Sequence, residues 1–195
     1  MVVAIIDYGA GNTKSLQFAL DRLGVNNLLT SDADRIKNAD KVIFPGQGAA
    51  GSAMKKLKHY NLDSLIIGLK QPVLGICLGM QLLCEHTEEG DVEGLGIIQG
   101  TVKRFTNEVK VPQMGWNSIH ELNGPLFQGI ENDSHMYLVH SYYVPKLHET
   151  VALCNYNGIY SVALQKNNFY GVQFHHEKSS SKGQLLLNNF LNLER

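Results

Sequence analysis

Apolar residues in the first half of the chain come in short unbroken runs separated by stretches with helical spacing. Val2–Ile6 is one such run, ended by Asp7 and the Gly9/Gly11 loop. It reads as a strand buried on both faces. Asn12 or Thr13 then caps a predicted helix through Leu23, with Leu16, Ala19, Leu20 and Leu23 on one face. Asn27–Thr30 and Val42–Phe44 are the second and third predicted strands, the latter stopped by Pro45-Gly46. A helical stretch follows over Ser52–Leu69, interrupted near Asn61. Val73–Ile76 is a fourth strand, and Leu78–Cys84 a further helix. Apolar strands alternating with helices call for a parallel sheet covered on both sides.

Beyond Gly90 the pattern becomes half-alternating. It predicts strands at Ile97–Ile98, Thr101–Phe105, Tyr137–Val144, Val151–Cys154, Tyr160–Leu164 and Tyr170–Phe174, with turns such as Asn123-Gly124 and Asn157-Gly158 between them. A last helix covers Lys182–Leu193. The fold class is a single α/β domain, residues 1–195, with a mixed, mostly parallel central sheet flanked by helices.

Composition narrows the function classes. The 195 residues carry 17 Lys+Arg and 18 Asp+Glu, a formal charge of −1, so no global field attracts nucleic acid or anionic membrane. The three cysteines, Cys77, Cys84 and Cys154, cannot all pair, and none lies in a C-x-x-C, which argues against a disulfide scaffold and a zinc knuckle. The uncharged run Gln71–Cys84 is 14 residues and holds a proline and two glutamines, too short for a bilayer that needs about 20 apolar residues. The start, MVVAIIDYGAGN, lacks a basic leader. The expectation is a soluble, cytoplasmic protein.

The sharpest chemical signal is Gly75-Ile76-Cys77-Leu78-Gly79-Met80-Gln81. It is the thiol version of the strand–turn–helix nucleophile elbow. Glycines two residues either side of the apex leave room where strand and helix crowd together. The turn sets Cys77 at a helix N-terminus, whose N–H groups and dipole favour a thiolate, and aims the Leu78 amide where an oxyanion would form. A buried, inert cysteine is the plain alternative. A thiolate nucleophile needs a base and an orienter. Phe174-His175-His176-Glu177 supplies both: on an extended chain His175 and Glu177 face one side and His176 points away. His135 and His140 have no metal-type spacing to this segment, so no metal or other cofactor is expected. Pro45-Gly46-Gln47-Gly48, after the third strand, can offer the second oxyanion donor.

These segments resemble the triad-type, class I glutamine amidotransferases, whose signatures read G-x-C-x-G-x-Q and Q-F-H-P-E. Asp7-Tyr8-Gly9-Ala10-Gly11-Asn12 and Met114-Gly115-Trp116-Asn117 bring the likeness closer to one branch of that family. Its members are glutaminase subunits that feed a separate (β/α)8-barrel cyclase, the pair making imidazole glycerol phosphate and an aminoimidazole carboxamide ribonucleotide. The resemblance implies a flavodoxin-like amidotransferase fold and a Cys77–His175–Glu177 triad. It also implies an oxyanion hole from the backbone of Leu78 and of Gln47 or Gly48, and glutamine held by Gln81, Glu89, Ser141 and Tyr142. Asn12, Trp116 and Lys178 would face the cyclase in a heterodimer, Trp116 from a Gly/Asn-rich turn. Two positions depart from the family: His176 stands where proline is usual, and Gln47 where many relatives have valine. A glutaminase subunit of another class I amidotransferase, a stand-alone thiol hydrolase on a similar scaffold and a non-catalytic relative are the competing readings. The complete set Cys77, His175 and Glu177 counts against the last.

Overall fold

The computed structural model describes residues 1–194. In chain order the strands are β1 (Val2–Ile6), β2 (Asn26–Thr30), β3 (Lys41–Phe44), β4 (Val73–Ile76), β5 (Cys84–Thr87), β6 (Val92–Glu93), β7 (Ile98–Arg104), β8 (Gln113–Ile119), β9 (Ser134–His140), β10 (Tyr142–Pro145), β11 (Thr150–Asn155), β12 (Ile159–Lys166) and β13 (Phe169–Val172). The helices are α1 (Thr13–Arg22), α2 (Ala33–Asn38), α3 (Ala50–His59), α4 (Leu62–Ile67), α5 (Leu78–Leu82) and α6 (Ser180–Leu191).

The main sheet runs β2-β1-β3-β4-β13-β12-β10-β7-β5-β6, with β11 paired to β12. Its first five strands are mutually parallel, and the strands from β12 through β10 to β7 continue it antiparallel. Side chains alternate between the two faces, as the period-two geometry of a strand requires. Val3, Ile5, Ile43, Leu74 and Ile76 join a core with Leu16, Leu20, Leu186 and Phe190 of α1 and α6. Ala4, Ile6, Val42, Phe44 and Val73 join the opposite core with Ile36, Met54, Leu57 and Ile66 of α2, α3 and α4. Asn12 caps α1, its Oδ1 accepting from the Ser15 amide at 3.4 Å, and Asn61 breaks the second helical stretch between α3 and α4 with φ +54°.

Of the local expectations, the separate strands Ile97–Ile98 and Thr101–Phe105 are one strand, β7, and three more change. Helix α5 ends at Leu82, and Cys84 opens strand β5 instead of continuing the helix, because β5 finds a parallel partner in β7 (Cys84↔Ile98, Thr87↔Val102). Tyr137–Val144 is not one strand: the chain breaks at Ser141 as it leaves a two-stranded ribbon, β8–β9, for the main sheet at β10. Trp116 lies within β8, opposite Tyr137 of β9, and not in a turn. Gly115 beside it, with φ +135°, keeps to the strand register.

Candidate active site

Strands β4 and β13 are parallel neighbours, with Gly171 opposite Gly75 and Val172 opposite Ile76. Their carboxyl ends therefore open at the same edge of the sheet, the usual place for a site in an open α/β sheet. The amide of Cys77 donates to the Val172 carbonyl at 2.8 Å, so the Cys77 turn and the His175–Glu177 segment leave the sheet side by side.

Cys77 is the apex of the elbow, at φ +54°, ψ −111°. This conformation is costly for a residue with a Cβ and persists where packing over-determines it. The flanking glycines show how. A Cβ on Gly75 would lie 2.9 Å from the Gly79 backbone, and one on Gly79 would lie 2.0 Å from the Phe44 carbonyl oxygen. Strand β4, helix α5 and the end of β3 thus meet backbone to backbone, and only glycine fits. The loop after β3 is pressed onto the same turn: a Cβ on Gly46 would meet the Gly79 amide at 2.4 Å. The Tyr8 hydroxyl donates to the Pro45 carbonyl at 2.7 Å, which fixes the loop's buried first half. Its second half, Gln47 and Gly48, is exposed at the rim, with Gly48 at φ +94°. Leu78 begins α5, so its amide belongs to the first turn, whose N–H groups have no intrahelical acceptor.

His175 and Glu177 do converge, Nδ1 to Oε1 at 3.1 Å, but not along an extended strand. Strand β13 ends at Val172, and a 3-10 turn over His176–Lys178 folds the carboxylate back onto the imidazole. His176 consequently does not point away: its ring is buried, with Nδ1 3.4 Å from the other Glu177 oxygen, Oε2. The segment is tied to β9, since the His175 amide donates to the Tyr137 carbonyl at 3.0 Å. Ser179 Oγ donates to the His175 carbonyl at 2.7 Å and accepts from the Tyr137 amide at 3.0 Å. Burial works against a charged His175, but hydrogen bonds with Cys77 and Glu177 and their charges outweigh it and push the imidazole up to about 10. Burial alone would raise Glu177. The hydrogen bond from His175 and the two neighbouring rings hold it below its ordinary value instead. Burial keeps His176 neutral, down at about 4.

One cleft of about 630 Å3 is lined by Cys77, Leu78, Gln81, Glu89, Ser141, Tyr142, His175, Glu177, Gln47 and Gly48, and also by Asn12 and Lys178. Every triad, oxyanion and glutamine-holding residue expected from sequence is therefore brought together. Glu89 is separated from its neighbour Glu88 by direction: Glu89 accepts from the first amide of α3, Ala50, at 3.0 Å, whereas Glu88 accepts from the Arg104 amide. Gln81 Nε2 donates to the Tyr142 carbonyl and to Gln173 Oε1, each at 2.9 Å. Trp116 lies outside the cleft, half exposed on the ribbon, its ring 6.0 Å from that of Tyr137, with the Lys178 ammonium 5.5 Å above the Tyr137 ring. Gln173, Ser179 and His140 carry no role in the sequence reading. The available signal was Gln173 itself, a polar residue inside the apolar run Tyr170–Phe174 and two positions before His175. Among the described residues no three His, Cys, Asp or Glu side chains gather as metal ligands, and no helix is long and apolar enough to cross a membrane.

The elbow, the imidazole and carboxylate after β13, and the glycine loop after β3 define a thiol-dependent amidotransferase. Residues 4–193 match the glutamine amidotransferase class-I family, and the chain belongs to it. It is 51 % identical, over 99 % of its length and 100 % of the relative's, to the imidazole glycerol phosphate synthase subunit HisH of Bacteroides thetaiotaomicron. It is 50 % identical to the subunit of the same name from Haemophilus influenzae, over 97 % and 96 % of the two chains. Among solved structures it superposes on a glutamine amidotransferase with TM-score 0.75 at 18 % identity, covering 98 % and 97 % of the chains. PurLQS from Thermotoga maritima gives TM-score 0.74 at 16 % identity, again covering 98 % and 97 %. At such identities these two likenesses concern the fold.

Proposed function

We propose that this chain, acting as one amidotransferase domain, is the glutaminase subunit of an imidazole glycerol phosphate synthase. It hydrolyses glutamine through a Cys77 thioester and passes the ammonia to a separate (β/α)8-barrel cyclase. The observation that carries the reading is the shared cleft: the sulfur, the imidazole held by Glu177 and the amide donors of the elbow all face one space.

The steps follow from the groups present. The Cys77 proton resides on His175 as sulfur attacks the side-chain carbonyl carbon of glutamine and the C–S bond forms. Negative charge gathers on the former carbonyl oxygen, where the Leu78 amide and an amide of Gln47 or Gly48 donate to it. The intermediate collapses, the C–N bond breaks, and ammonia leaves with the proton from His175. Water then attacks the thioester, giving its proton to His175. The C–S bond breaks, and glutamate departs. Glu177 keeps Nδ1 of His175 protonated so that Nε2 faces sulfur. Both hydrogens of Gln81 Nε2 are already committed, so its carbonyl oxygen is the atom left to accept from the α-ammonium of glutamine. Glu89, an acceptor, suits the same end, and the backbone of Ser141 and Tyr142 suits the α-carboxylate.

Ammonia released into neutral water would be protonated and lost as a nucleophile, which is why a second site must adjoin. The exposed Trp116 and Met114, with Tyr137 and Lys178 beside the cleft, form the face for the cyclase, and Asn12, the cap of α1, borders it. A cytoplasmic location fits this biosynthetic role. The test is ammonia release from glutamine by the purified chain, alone and with the cyclase and the cyclase's ligand. Slow turnover alone and strong acceleration in the complex are expected, while equal turnover in both would reject the coupled subunit. In the complex, Cys77→Ala should lower glutamine-dependent synthesis by at least about 10³-fold and leave synthesis from added ammonium intact.

A further inference from the structure

Gln173 follows β13 directly and is completely buried. A carboxamide in such a place must find partners for both ends, since an unmet amide hydrogen or oxygen in the interior is costly. Its oxygen accepts from Gln81 Nε2 at 2.9 Å, and this fixes which end of the amide is nitrogen. The nitrogen is turned to the Cys77 sulfur, 3.6 Å away. The sulfur therefore has two polar neighbours of different kinds: an imidazole that exchanges a proton with it, and an amide that cannot.

We propose that Gln173 is a further catalytic residue, whose Nε2–H donates to the Cys77 thiolate both before attack and when the thiolate leaves the thioester. A hydrogen bond to an anion is stronger than one to a neutral thiol, so this contact favours the reactive form of the sulfur. Because the amide is neutral at every working pH, it does so without competing for the proton that His175 has to deliver. The link to Gln81 adds a substrate-dependent element, which rests on the glutaminase reading above. An ammonium donating to Gln81 Oε1 polarises that amide and strengthens its N–H donation to Gln173. Gln173 is polarised in turn, and its own N–H becomes a better donor to sulfur. Substrate capture at one end of a two-amide chain thus sharpens the nucleophile at the other.

The experiment is the pH dependence of iodoacetamide alkylation, followed at the Cys77 peptide by mass spectrometry, in the full chain and in Gln173→Met and Gln173→Leu. Either variant that keeps the native circular dichroism spectrum suffices; methionine preserves shape and leucine gives a second apolar filling. On the acid limb of the profile, where the rate still climbs with pH, Cys77 alkylation should be about tenfold slower in the variant. Glutaminase kcat should fall with it. An alkylation profile unchanged in a folded variant overturns the proposal even if glutaminase activity drops, because the loss would then come from Gln81 alone. If the native chain alkylates as expected yet releases no ammonia from glutamine with its cyclase, the glutaminase reading fails and the Gln173 contact stands.

Discussion

His140 and Gln81 meet at one acceptor, the carbonyl oxygen of Tyr142, which takes the His140 Nδ1–H at 2.7 Å and the Gln81 Nε2–H at 2.9 Å. Burial holds His140 neutral, down at about 4, so it has one N–H to give, and that one is committed. Its Nε2 lies 3.2 Å from the Tyr160 hydroxyl oxygen, whose single hydrogen is given to Gln113 Oε1 at 2.7 Å. Gln113 Nε2 continues to Asn117 Oδ1 at 2.9 Å. A line of uncharged polar groups in contact thus runs from Asn117 of β8, one residue beyond Trp116, to the Gln81 amide.

His140→Phe keeps an aromatic ring in place and removes the donor. The Tyr142 carbonyl loses one of its two donors and keeps the Gln81 amide, which costs about 0.5–1.5 kcal/mol of stability. Because the damage falls on the carbonyl that orients Gln81, KM for glutamine should rise about tenfold while kcat changes less than threefold. Steady-state kinetics and urea unfolding measure both. A fall in kcat at unchanged KM would place His140 elsewhere in the mechanism.

Glu177→Gln should lower kcat by about 100-fold or more, because the imidazole loses the partner that fixes its tautomer. Stability carries a pH signature. Glu177 is held below its ordinary 4.5, so its contribution is present above that pH and is lost on acidification. His175 is raised from 6.5 to about 10, so its contribution is complete below pH 6.5 and fades as the pH climbs through 10. The thermal midpoint of the native chain should therefore exceed that of Glu177→Gln most between about pH 4.5 and 6.5, and the two curves should approach each other on either side. A constant offset across the range would contradict the ion-pair account.

Burial pushes the Cys84 thiol up to about 12 and also raises Cys154. The folded chain treated with iodoacetamide at pH 8 should carry label on Cys77 and not on the other two, as peptide mapping will show. Cys84→Ala should keep glutaminase activity within about twofold and cost about 1 kcal/mol by removing a small buried group. Loss of activity in a folded Cys84→Ala would mean that β5 bears on the elbow more directly than its position indicates.

Trp116→Ala removes a ring that is 51 % exposed, so the isolated chain should change stability by no more than about 0.5 kcal/mol. Affinity for the cyclase should fall by about 2 kcal/mol, roughly 30-fold, as expected for an aromatic anchor. Calorimetric titration with the cyclase decides it: unchanged affinity would move the interface away from the ribbon.

Much of this protein could be read from local pattern. The strands β1, β3 and β4 are short apolar runs, closed by Asp7, by Pro45-Gly46 and by the Cys77 turn, and no distant contact is needed to recognise them. The elbow is equally local, since the spacing Gly75-x-Cys77-x-Gly79 answers to collisions within a few residues and across one neighbouring strand end. Tertiary structure decided what depends on partners far along the chain. Cys84–Thr87 became a strand because β7 offered it hydrogen bonds, and Trp116 entered one because Gln113–Ile119 pairs residue for residue with Ser134–His140. Glu177 reached His175 by a tight helical turn that no alternation announces, and Gln173 met Cys77 and Gln81 only because β13 lies against β4. Steric exclusion and hydrophobic period act between near neighbours and leave their mark in the sequence. Hydrogen-bond partners brought together by sheet pairing leave almost none, because either end alone looks like an ordinary polar residue.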